Sequence, residues 1–223
     1  MIGRMNRIDS PHAARRARLA AQLGAGGIAI IPTAPVQPRN RDSDFPYRPD
    51  SYFFYLTGFD EPDAWLVLTA DGRSLLFCQP KDAEREIWDG YRLGPEAAPA
   101  ALSVDGAHSV VEIDALLPRL LENTRTVWYP FATHPGLESR IDGWLKKVRA
   151  RVRYGALAPD GQRDACALLD EMRLVKDAHE LGVMRRAGQI SARGHIRAMQ
   201  RSSAMLRAGQ DVREYHLEAE LLH

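Results

Sequence analysis

The stretch AWLVLTADGRSLLFC, residues 64–78, predicts two neighbouring strands joined by a tight turn. Its two ends, AWLVL and SLLFC, are short apolar runs of the kind found in strands that are buried on both faces. Between them, Asp71 and Gly72 form a dipeptide that favours the turn of a β-hairpin. The stretch therefore predicts a hairpin inside a sheet.

Strand-like and helix-like patterns alternate on both sides of this hairpin. GGIAIIP at 26–32 is another apolar run between chain breakers, and further strands are predicted at 108–111 and 126–131. A helix is predicted at 114–123, and a second where apolar residues recur at helical spacing, at Leu137, Ile141, Leu145 and Val148. The first 155 or so residues thus predict an α/β domain, a layered mixed β-sheet flanked by helices.

The N-terminal region is rich in arginine. Ser10 followed by Pro11 is typical of a helix start and Gly24 of a helix stop. We interpret the region as an ordinary first helix rather than a transit peptide, with its arginines on a solvated face.

The pattern changes after Arg153. YGALAPDGQ, at 154–162, is typical of a linker, and the remainder is helical. Asp177 and Glu180 predict the capped start of a long helix through Met199, and Asp211 and Glu214 the start of another. We expect a first domain at 1–160, a boundary helix at 161–175, and the start of a second domain at 176–223. The last helix has little left to pack against, so we expect the chain to be a fragment.

Composition excludes several classes of protein. The 223 residues carry a formal charge of +1, which disfavours a nucleic-acid partner or an anionic membrane surface. No apolar run is long enough to span a membrane, and we expect a cytoplasmic protein. The two cysteines, Cys78 and Cys166, lack the spacing of a zinc site or a disulfide framework, so reduced thiols are predicted.

The segment RNRDSDFPYRPDSYFFYLTGFDEPDAWLVL, at 39–68, is unusually aromatic and charged. Residues 52–55 with Thr57 favour a strand that ends at a bend at Gly58. Charges in a loop of this kind favour partners at an interface or at the rim of a cleft. The charges in question are Arg39, Asp42 and Arg48. Most of a set of five aromatic residues are predicted to lie in the core: Phe45, Tyr47, Phe53, Tyr55 and Phe59.

The acidic stretch EYHLEAE, at 214–220, is the main candidate for a metal site. Glu214 and Glu218 share a helical face, but His216 points elsewhere, so a solvated helix side is the better interpretation. The sequence contains no GxSxG elbow and no Gly-rich phosphate loop.

Three blocks together resemble the aminopeptidase P family of the creatinase and prolidase superfamily. They are RDSDFPYRPDSYFFYLTGFDEPDAWLVL at 41–68, EIWDGYRLGPEAA at 86–98, and EMRLVKDAHELGVMRRAGQISARGHIRAM at 171–199. The resemblance implies a manganese-dependent Xaa-Pro aminopeptidase acting on proline-containing peptides. It also implies that an N-terminal domain shapes the active-site entrance and helps to form a homo-oligomer, a dimer or tetramer. A C-terminal pita-bread domain would hold two manganese ions, and this chain ends before the first of the family's metal ligands. We therefore expect no metal site and no activity in these residues alone.

The resemblance also implies roles for three residues. Trp88 matches a tryptophan that the family extends toward the active site of a neighbouring subunit. Asp42 matches an aspartate near the active-site mouth, and Arg153 an arginine at its edge. Three alternatives stay open for the parent protein: a prolidase, a metal-free creatinase, or a pita-bread protein that has lost catalysis and binds protein partners.

Overall fold

The computed structural model describes residues 10–223 and contains one six-stranded sheet. The strands are β1 (Gly27–Pro32), β2 (Trp65–Thr69), β3 (Ser74–Cys78), β4 (Gly106–Ser109), β5 (Thr126–Tyr129) and β6 (Gly161–Asp164). Their order is β4-β3-β2-β1-β5-β6. Strand β2 runs antiparallel to both of its neighbours, β1 and β3, while the other pairs are parallel. The sheet is therefore mixed, as predicted.

The hairpin at the centre of the sheet is confirmed. Leu66 pairs with Leu76, and Val67 with Leu75. In the turn, the backbone N–H of Gly72 donates to the carbonyl of Thr69 at 2.9 Å. Gly72 has a φ of +90°, which a residue with a side chain rarely adopts.

Nine α-helices surround or follow the sheet in the described part of the chain. They are α1 (Pro11–Ala20), α2 (Ser51–Thr57), α3 (Glu86–Asp89), α4 (Gly94–Leu102), α5 (Ile113–Leu121), α6 (Leu137–Ala150), α7 (Cys166–Leu174), α8 (Ala178–Arg207) and α9 (Glu214–Leu222). Short 3₁₀ turns lie at Val110–Glu112 and Val152–Tyr154.

The two faces of the sheet are covered by different helices. Alternate residues of β1 divide between two cores, with Ala29 and Ile31 in one and Ile28 and Ile30 in the other. The first core includes residues of α1, α2, α4 and α7, and the second includes residues of α5 and α6. The predicted layered mixed sheet with flanking helices is thus confirmed.

The strand predicted at 52–55 is wrong, because these residues belong to helix α2. The carboxylate of Asp50 accepts hydrogen bonds from the backbone N–H groups of Tyr52 and Phe53, which caps the helix start. At the other end, Gly58 adopts a left-handed conformation with φ +66°, and its N–H donates to the carbonyl of Phe54. Local capping outweighs the strand preference of the aromatic side chains.

The solvated face predicted for the arginines of α1 is wrong at two positions. Arg15 and Arg16 are 4% and 3% exposed. Arg16 donates to the carbonyl oxygens of Leu56, Leu102 and Ser103, at the carboxyl ends of α2 and α4. The guanidinium is buried because it satisfies helix-end carbonyls that have no intrahelical donor.

Several element bounds also differ from the prediction. Strand β4 begins at Gly106 and gives way to a 3₁₀ turn at Val110, because a Ser109–Glu112 capping box starts that turn. Strand β5 ends at Tyr129. Strand β6 pairs with β5 in the region interpreted as a linker. It is exposed at most positions, so it lacks the apolar run that marks a buried strand.

The chain divides into two compact units, residues 1–172 and 173–223. In the second unit, Asp177 and Glu180 form the predicted capping box of α8, which continues past Met199 to Arg207. The second predicted cap is wrong: α9 begins at Glu214 after Arg213, while Asp211 forms an ion pair with Arg213 instead. Exposed apolar side chains lie along both helices: Val183, Met184, Ile190, Met199 and Leu222.

Both cysteines are free thiols. Burial raises the pKa of the Cys78 thiol to about 12 and that of Cys166 to about 11, which keeps both protonated at neutral pH. None of the helices in residues 10–223 combines the length and apolar character needed to cross a bilayer.

Candidate functional site

The loop that carries Asp42 follows strand β1 and folds back on itself. Pro38 and Asp44 form an isolated antiparallel bridge, and the side chain of Asn40 accepts hydrogen bonds from the N–H groups of Asp42 and Ser43, at 2.8 and 2.9 Å. Asp42 therefore sits at the tip of a tight turn, and its side chain is exposed. Within residues 10–223 the structure shows no ion pair to Asp42, so a role at an active-site mouth stays a prediction.

The other two predicted loop charges, Arg39 and Arg48, are also exposed. The guanidinium of Arg39 lies 6.0 Å from the ring centre of Phe45, which is itself 52% exposed. Phe45 is thus not a core residue, whereas Phe53, Tyr55 and Phe59 are buried as predicted.

Tyr47 holds the base of this loop. Its hydroxyl lies 2.8 Å from Thr33 Oγ1, and 3.1 and 3.4 Å from the carbonyl oxygens of Ala34 and Glu61. Partial burial raises the pKa of Tyr47, so the hydroxyl keeps its proton. The loop after β1 is therefore tied to the segment between α2 and β2, where Glu61 lies.

Trp88 lies on the short helix α3 and is 84% exposed. Ile87 and Tyr91 are exposed by 78% and 70%, so the three side chains together present an apolar surface to solvent. This exposure agrees with the charged residues around Trp88 in the sequence. A large apolar surface held in solvent is typical of an interaction site.

The segment that carries Trp88 is braced by its own side chains. Lys81 forms an ion pair with Glu86 at 3.3 Å, and its Nζ lies 3.8 Å from the ring centre of Tyr91. Arg92 forms an ion pair with Asp89 at 3.3 Å. These contacts all lie within residues 81–92, so they stiffen the segment without attaching it to the sheet.

Glu61 provides an attachment. Its Oε1 accepts a hydrogen bond from the backbone N–H of Leu93 at 2.7 Å, at the end of the Trp88 segment. Its Oε2 is buried and has no hydrogen-bond partner in the described residues. Burial raises the pKa of Glu61, although the Leu93 N–H and the Arg92 charge act in the opposite direction. The segments that bear Asp42 and Trp88 are thus both hydrogen-bonded to Glu61, one to its carbonyl through Tyr47 and one to its carboxylate.

The sequence did not predict that Tyr47 and Glu61 hold the Asp42 loop and the Trp88 segment in place. The signal for Glu61 is an acidic side chain next to a proline, between the buried residues Phe59 and Ala64. A carboxylate placed between two core positions is costly to bury unless it binds a donor. The signal for Tyr47 is a phenol beside a proline in a loop, where its hydroxyl can satisfy several backbone groups.

A cavity of about 600 Å³ lies at the carboxyl ends of the parallel strands. This is the usual position of ligand sites in α/β sheets. Its walls are largely apolar and include Trp65 and four prolines: Pro32, Pro35, Pro80 and Pro135. Its charged side chains are already engaged in the described structure. Arg140 binds Asp114 through two 3.1 Å hydrogen bonds. The cavity therefore offers an apolar surface and no free catalytic pair.

His134 lines the same cavity and lies 3.9 Å from the carboxylate of Asp50. Burial lowers the pKa of His134, and the Asp50 charge only partly offsets this effect. The imidazole is therefore neutral at physiological pH. A neutral ring beside the N-cap of α2 suits a packing role better than that of a catalytic acid.

Arg153, the third predicted site residue, lies in the 3₁₀ turn Val152–Tyr154 and is exposed. None of the hydrogen bonds or ion pairs described for residues 10–223 joins it to Asp42 or Trp88. Its role at the edge of an active site stays a prediction.

The described residues do not fit a metal pair. No three His, Cys, Asp or Glu side chains converge at any point of residues 10–223. In the acidic stretch at 214–220, Glu220 binds Arg197 at 2.7 Å and His216 accepts from the N–H of Arg213. These side chains are thus used in helix pairing and capping.

The mixed six-stranded sheet with helices on both faces, and the two segments hydrogen-bonded to Glu61, define an α/β domain. The family model described as aminopeptidase P, N-terminal domain, matches residues 12–128, which span β1 to β5. The chain belongs to this family.

The chain is also similar to bacterial Xaa-Pro aminopeptidases. It is 39% identical to the "Xaa-Pro aminopeptidase" of Escherichia coli over 213 residues, which cover 94% of this chain and 47% of that protein. The solved structure of Pseudomonas aeruginosa aminopeptidase PepP is 41% identical with a TM-score of 0.86, covering 99% of this chain and 49% of that one. A zinc-substituted E. coli aminopeptidase P in complex with product gives the same TM-score at 37% identity, covering 98% of this chain and 49% of its own. The chain thus spans about half the length of these proteins.

Proposed function

We propose that this chain is the N-terminal part of a metal-dependent Xaa-Pro aminopeptidase, which removes an N-terminal residue that precedes proline. The observation that carries the proposal is Trp88, which is 84% exposed on a segment braced by ion pairs and hydrogen-bonded to Glu61. Trp88 forms one exposed apolar surface with Ile87 and Tyr91, and a contiguous surface of this kind marks an interaction site. A substrate pocket that the ring helps to close would be such a site.

The proposed contribution of these residues is positioning and water exclusion. The prolyl amide has no N–H, so a peptidase cannot use that group to hold its substrate and needs shaped walls instead. Trp88 has only two rotatable side-chain bonds, so it loses little entropy when it packs against a peptide. Asp42 and Arg153 are proposed to lie at the rim of the same pocket, where their exposed charges would meet polar groups of the substrate or of a neighbouring subunit.

The proposal extends to the rest of the protein. Residues 176–223 would begin a pita-bread domain, and the apolar side chains exposed along α8 and α9 would be covered by it. Two manganese ions would bind in the complete enzyme. Support for metal dependence comes from the zinc-substituted form known for the E. coli relative. A metal pair of this kind activates water for hydrolysis.

The assembly and the compartment are also proposed. A homo-oligomer, either a dimer or a tetramer, would bring Trp88 of one subunit to the pocket of another. The proposed compartment is the cytoplasm, where the free thiols of Cys78 and Cys166 would remain reduced.

An activity assay tests the proposal. The complete gene product and the 223-residue chain would be compared on an Xaa-Pro-Yaa tripeptide, an Xaa-Pro dipeptide and an Xaa-Ala-Yaa control, each with and without Mn²⁺. We expect the complete product alone to release the first residue from the Xaa-Pro tripeptide when metal is present. Turnover confined to the dipeptide would indicate a prolidase instead. No turnover by the complete product would favour a binding module, and turnover by the 223-residue chain would contradict the proposal.

A further inference from the structure

Residues 81–92 have an unusual pattern of contacts. Their described hydrogen bonds, ion pairs and cation–π contact are all internal: the N–H groups of Glu84 and Arg85 donate to Asp82, Lys81 pairs with Glu86, and Arg92 with Asp89. Such a segment is stiff, but it can move as a body unless its ends are held. One end joins strand β3 through Gln79 and Pro80, and the other reaches helix α4 through Leu93.

The N–H of Leu93 joins the C-terminal end of this segment to the rest of the domain, while before its other end Gln79 Nε2 donates to Asp63 at 2.7 Å. Leu93 is the N-cap residue of α4, and it is partly buried against the first core. Its N–H lies 2.7 Å from Glu61 Oε1, and a bond to a carboxylate is about twice as strong as one to a neutral oxygen. Four residues after Trp88, Arg92 adds a positive charge near the same carboxylate.

The placement of Glu61 is costly in a way that calls for a reason. Its Oε2 is buried with no partner in the described residues, and an unsatisfied buried carboxylate oxygen costs free energy. Asp60, Glu86 and the Cys78 thiol also lie close enough to interact with it electrostatically. The hydrogen bond that Oε1 accepts from the Leu93 N–H offsets part of this cost, so the side chain is held in place by that contact.

We infer that Glu61 is a positioning residue, which fixes the direction of Trp88 by anchoring the Trp88 segment through the Leu93 N–H. The inference rests on the proposed function only for its effect on catalysis. The anchoring itself is a property of this chain. The carbonyl of Glu61 also accepts a hydrogen bond from the Tyr47 hydroxyl at 3.4 Å. The same residue therefore positions the Asp42 loop and the Trp88 segment relative to the start of strand β2.

The anchoring is tested on the 223-residue chain with two size-matched variants. Glu61→Met keeps the length of the side chain but removes the acceptor, whereas Glu61→Gln keeps an oxygen that can accept from Leu93. We expect hydrogen exchange at the Leu93 amide to be protected in the wild type and in Glu61→Gln, and to become faster by roughly tenfold in Glu61→Met. An unprotected Leu93 amide in the wild type would overturn the inference, whether or not either variant folds.

The direction of Trp88 is tested by fluorine NMR on protein labelled with 5-fluorotryptophan. The chain has four tryptophans, and the Trp88 signal is assigned with Trp88→Phe. We expect Glu61→Met to shift or broaden the Trp88 signal alone, and Glu61→Gln to restore it. The signals of the buried Trp128 and Trp144 report on the fold. A change in all four signals, or none at Trp88, would contradict a positioning role.

The effect on catalysis is tested last, in the complete gene product. Glu61→Met should lower kcat/KM on Xaa-Pro tripeptides as much as Trp88→Ala does, with no further loss when the two are combined, because both act on one element. Additive losses would contradict the coupling. If the complete product has no Xaa-Pro activity, the proposed function fails, while exchange and NMR still decide the anchoring.

Discussion

Nη1 of Arg16 lies 2.8 Å from the carbonyl oxygen of Leu56, and Nη2 of the same guanidinium donates to the carbonyls of Leu102 and Ser103. One buried side chain thus joins the carboxyl ends of helices α2 and α4 to helix α1. Since the last carbonyls of a helix have no intrahelical donor, this contact satisfies groups that would otherwise lack a partner in the core.

Arg16→Met should therefore destabilise the domain. We expect a loss of about 2–4 kcal/mol in the free energy of unfolding, because several buried carbonyl groups lose a charged donor. Urea denaturation of the 223-residue chain measures this. Arg18→Met is the matched control, because Arg18 is exposed on the same helix and its change should cost less than about 0.5 kcal/mol. Equal losses in the two variants would show that Arg16 contributes no more than surface charge.

Gly58 ends α2 with φ +66°, and a Cβ at this position would lie 2.6 Å from His12 Nε2. Gly24 has a similar φ of +75° but open space around it. Gly24→Ala should cost about 1 kcal/mol through backbone strain alone. Gly58→Ala should cost about 2–3 kcal/mol, because contact with His12 is added to the strain. Equal shifts in the two urea midpoints would argue that His12 moves aside at no cost.

The contact between Asp114 and Arg140 predicts a pH dependence. Two hydrogen bonds from Arg140, and a third from Trp144 Nε1 at 2.7 Å, hold the pKa of Asp114 below its ordinary value. A carboxyl whose pKa is lowered by folding stabilises the protein above the pKa of its unfolded state. That contribution is lost as the pH falls through the folded pKa.

Asp114→Asn should therefore cost at most about 0.5–1 kcal/mol at pH 7, because solvent screens this half-exposed ion pair, and progressively less below about pH 4. Urea denaturation across this range gives the difference from wild type. Asp142→Asn is the control, because Asp142 is exposed on α6 and its carboxylate forms no hydrogen bond or ion pair in the described structure. A cost for Asp114→Asn that stays constant down to pH 3 would exclude the ionised carboxylate as its source.

Trp88→Ala in the complete gene product should lower kcat/KM on Xaa-Pro tripeptides by about tenfold, because a wall of the proposed pocket is removed. Its melting temperature should not change, since Trp88 is 84% exposed. Leu157→Ala is the control, because Leu157 is 66% exposed and lies outside both the Asp42 loop and the Trp88 segment. A large drop in the melting temperature would indicate that Trp88 stabilises the fold, and an unchanged rate would remove it from the site.

Much of the fold follows from local pattern. The Asp71–Gly72 turn between two apolar runs predicted the central hairpin, and the alternation of strands and helices predicted a layered sheet. Prediction failed where a local pattern met a competing contact. The aromatic residues of α2 favour strands one by one, but Asp50 and Gly58 cap a helix around them. Strand β6 was missed because exposed positions carry no apolar signal.

The features of the candidate site also separate into those that the sequence predicts and those that depend on the tertiary structure. The sequence alone determined the hairpin, the capping box of α8 and the resemblance that singled out Trp88, because these depend on residues near one another in the chain. Only the tertiary structure decided that Arg16 is buried and that Glu61 joins two loops, because their partners lie between 14 and 87 residues away in the chain. Whether a charged side chain is solvated or buried depends on the donors and acceptors that folding brings to it, and no periodicity in the sequence records them.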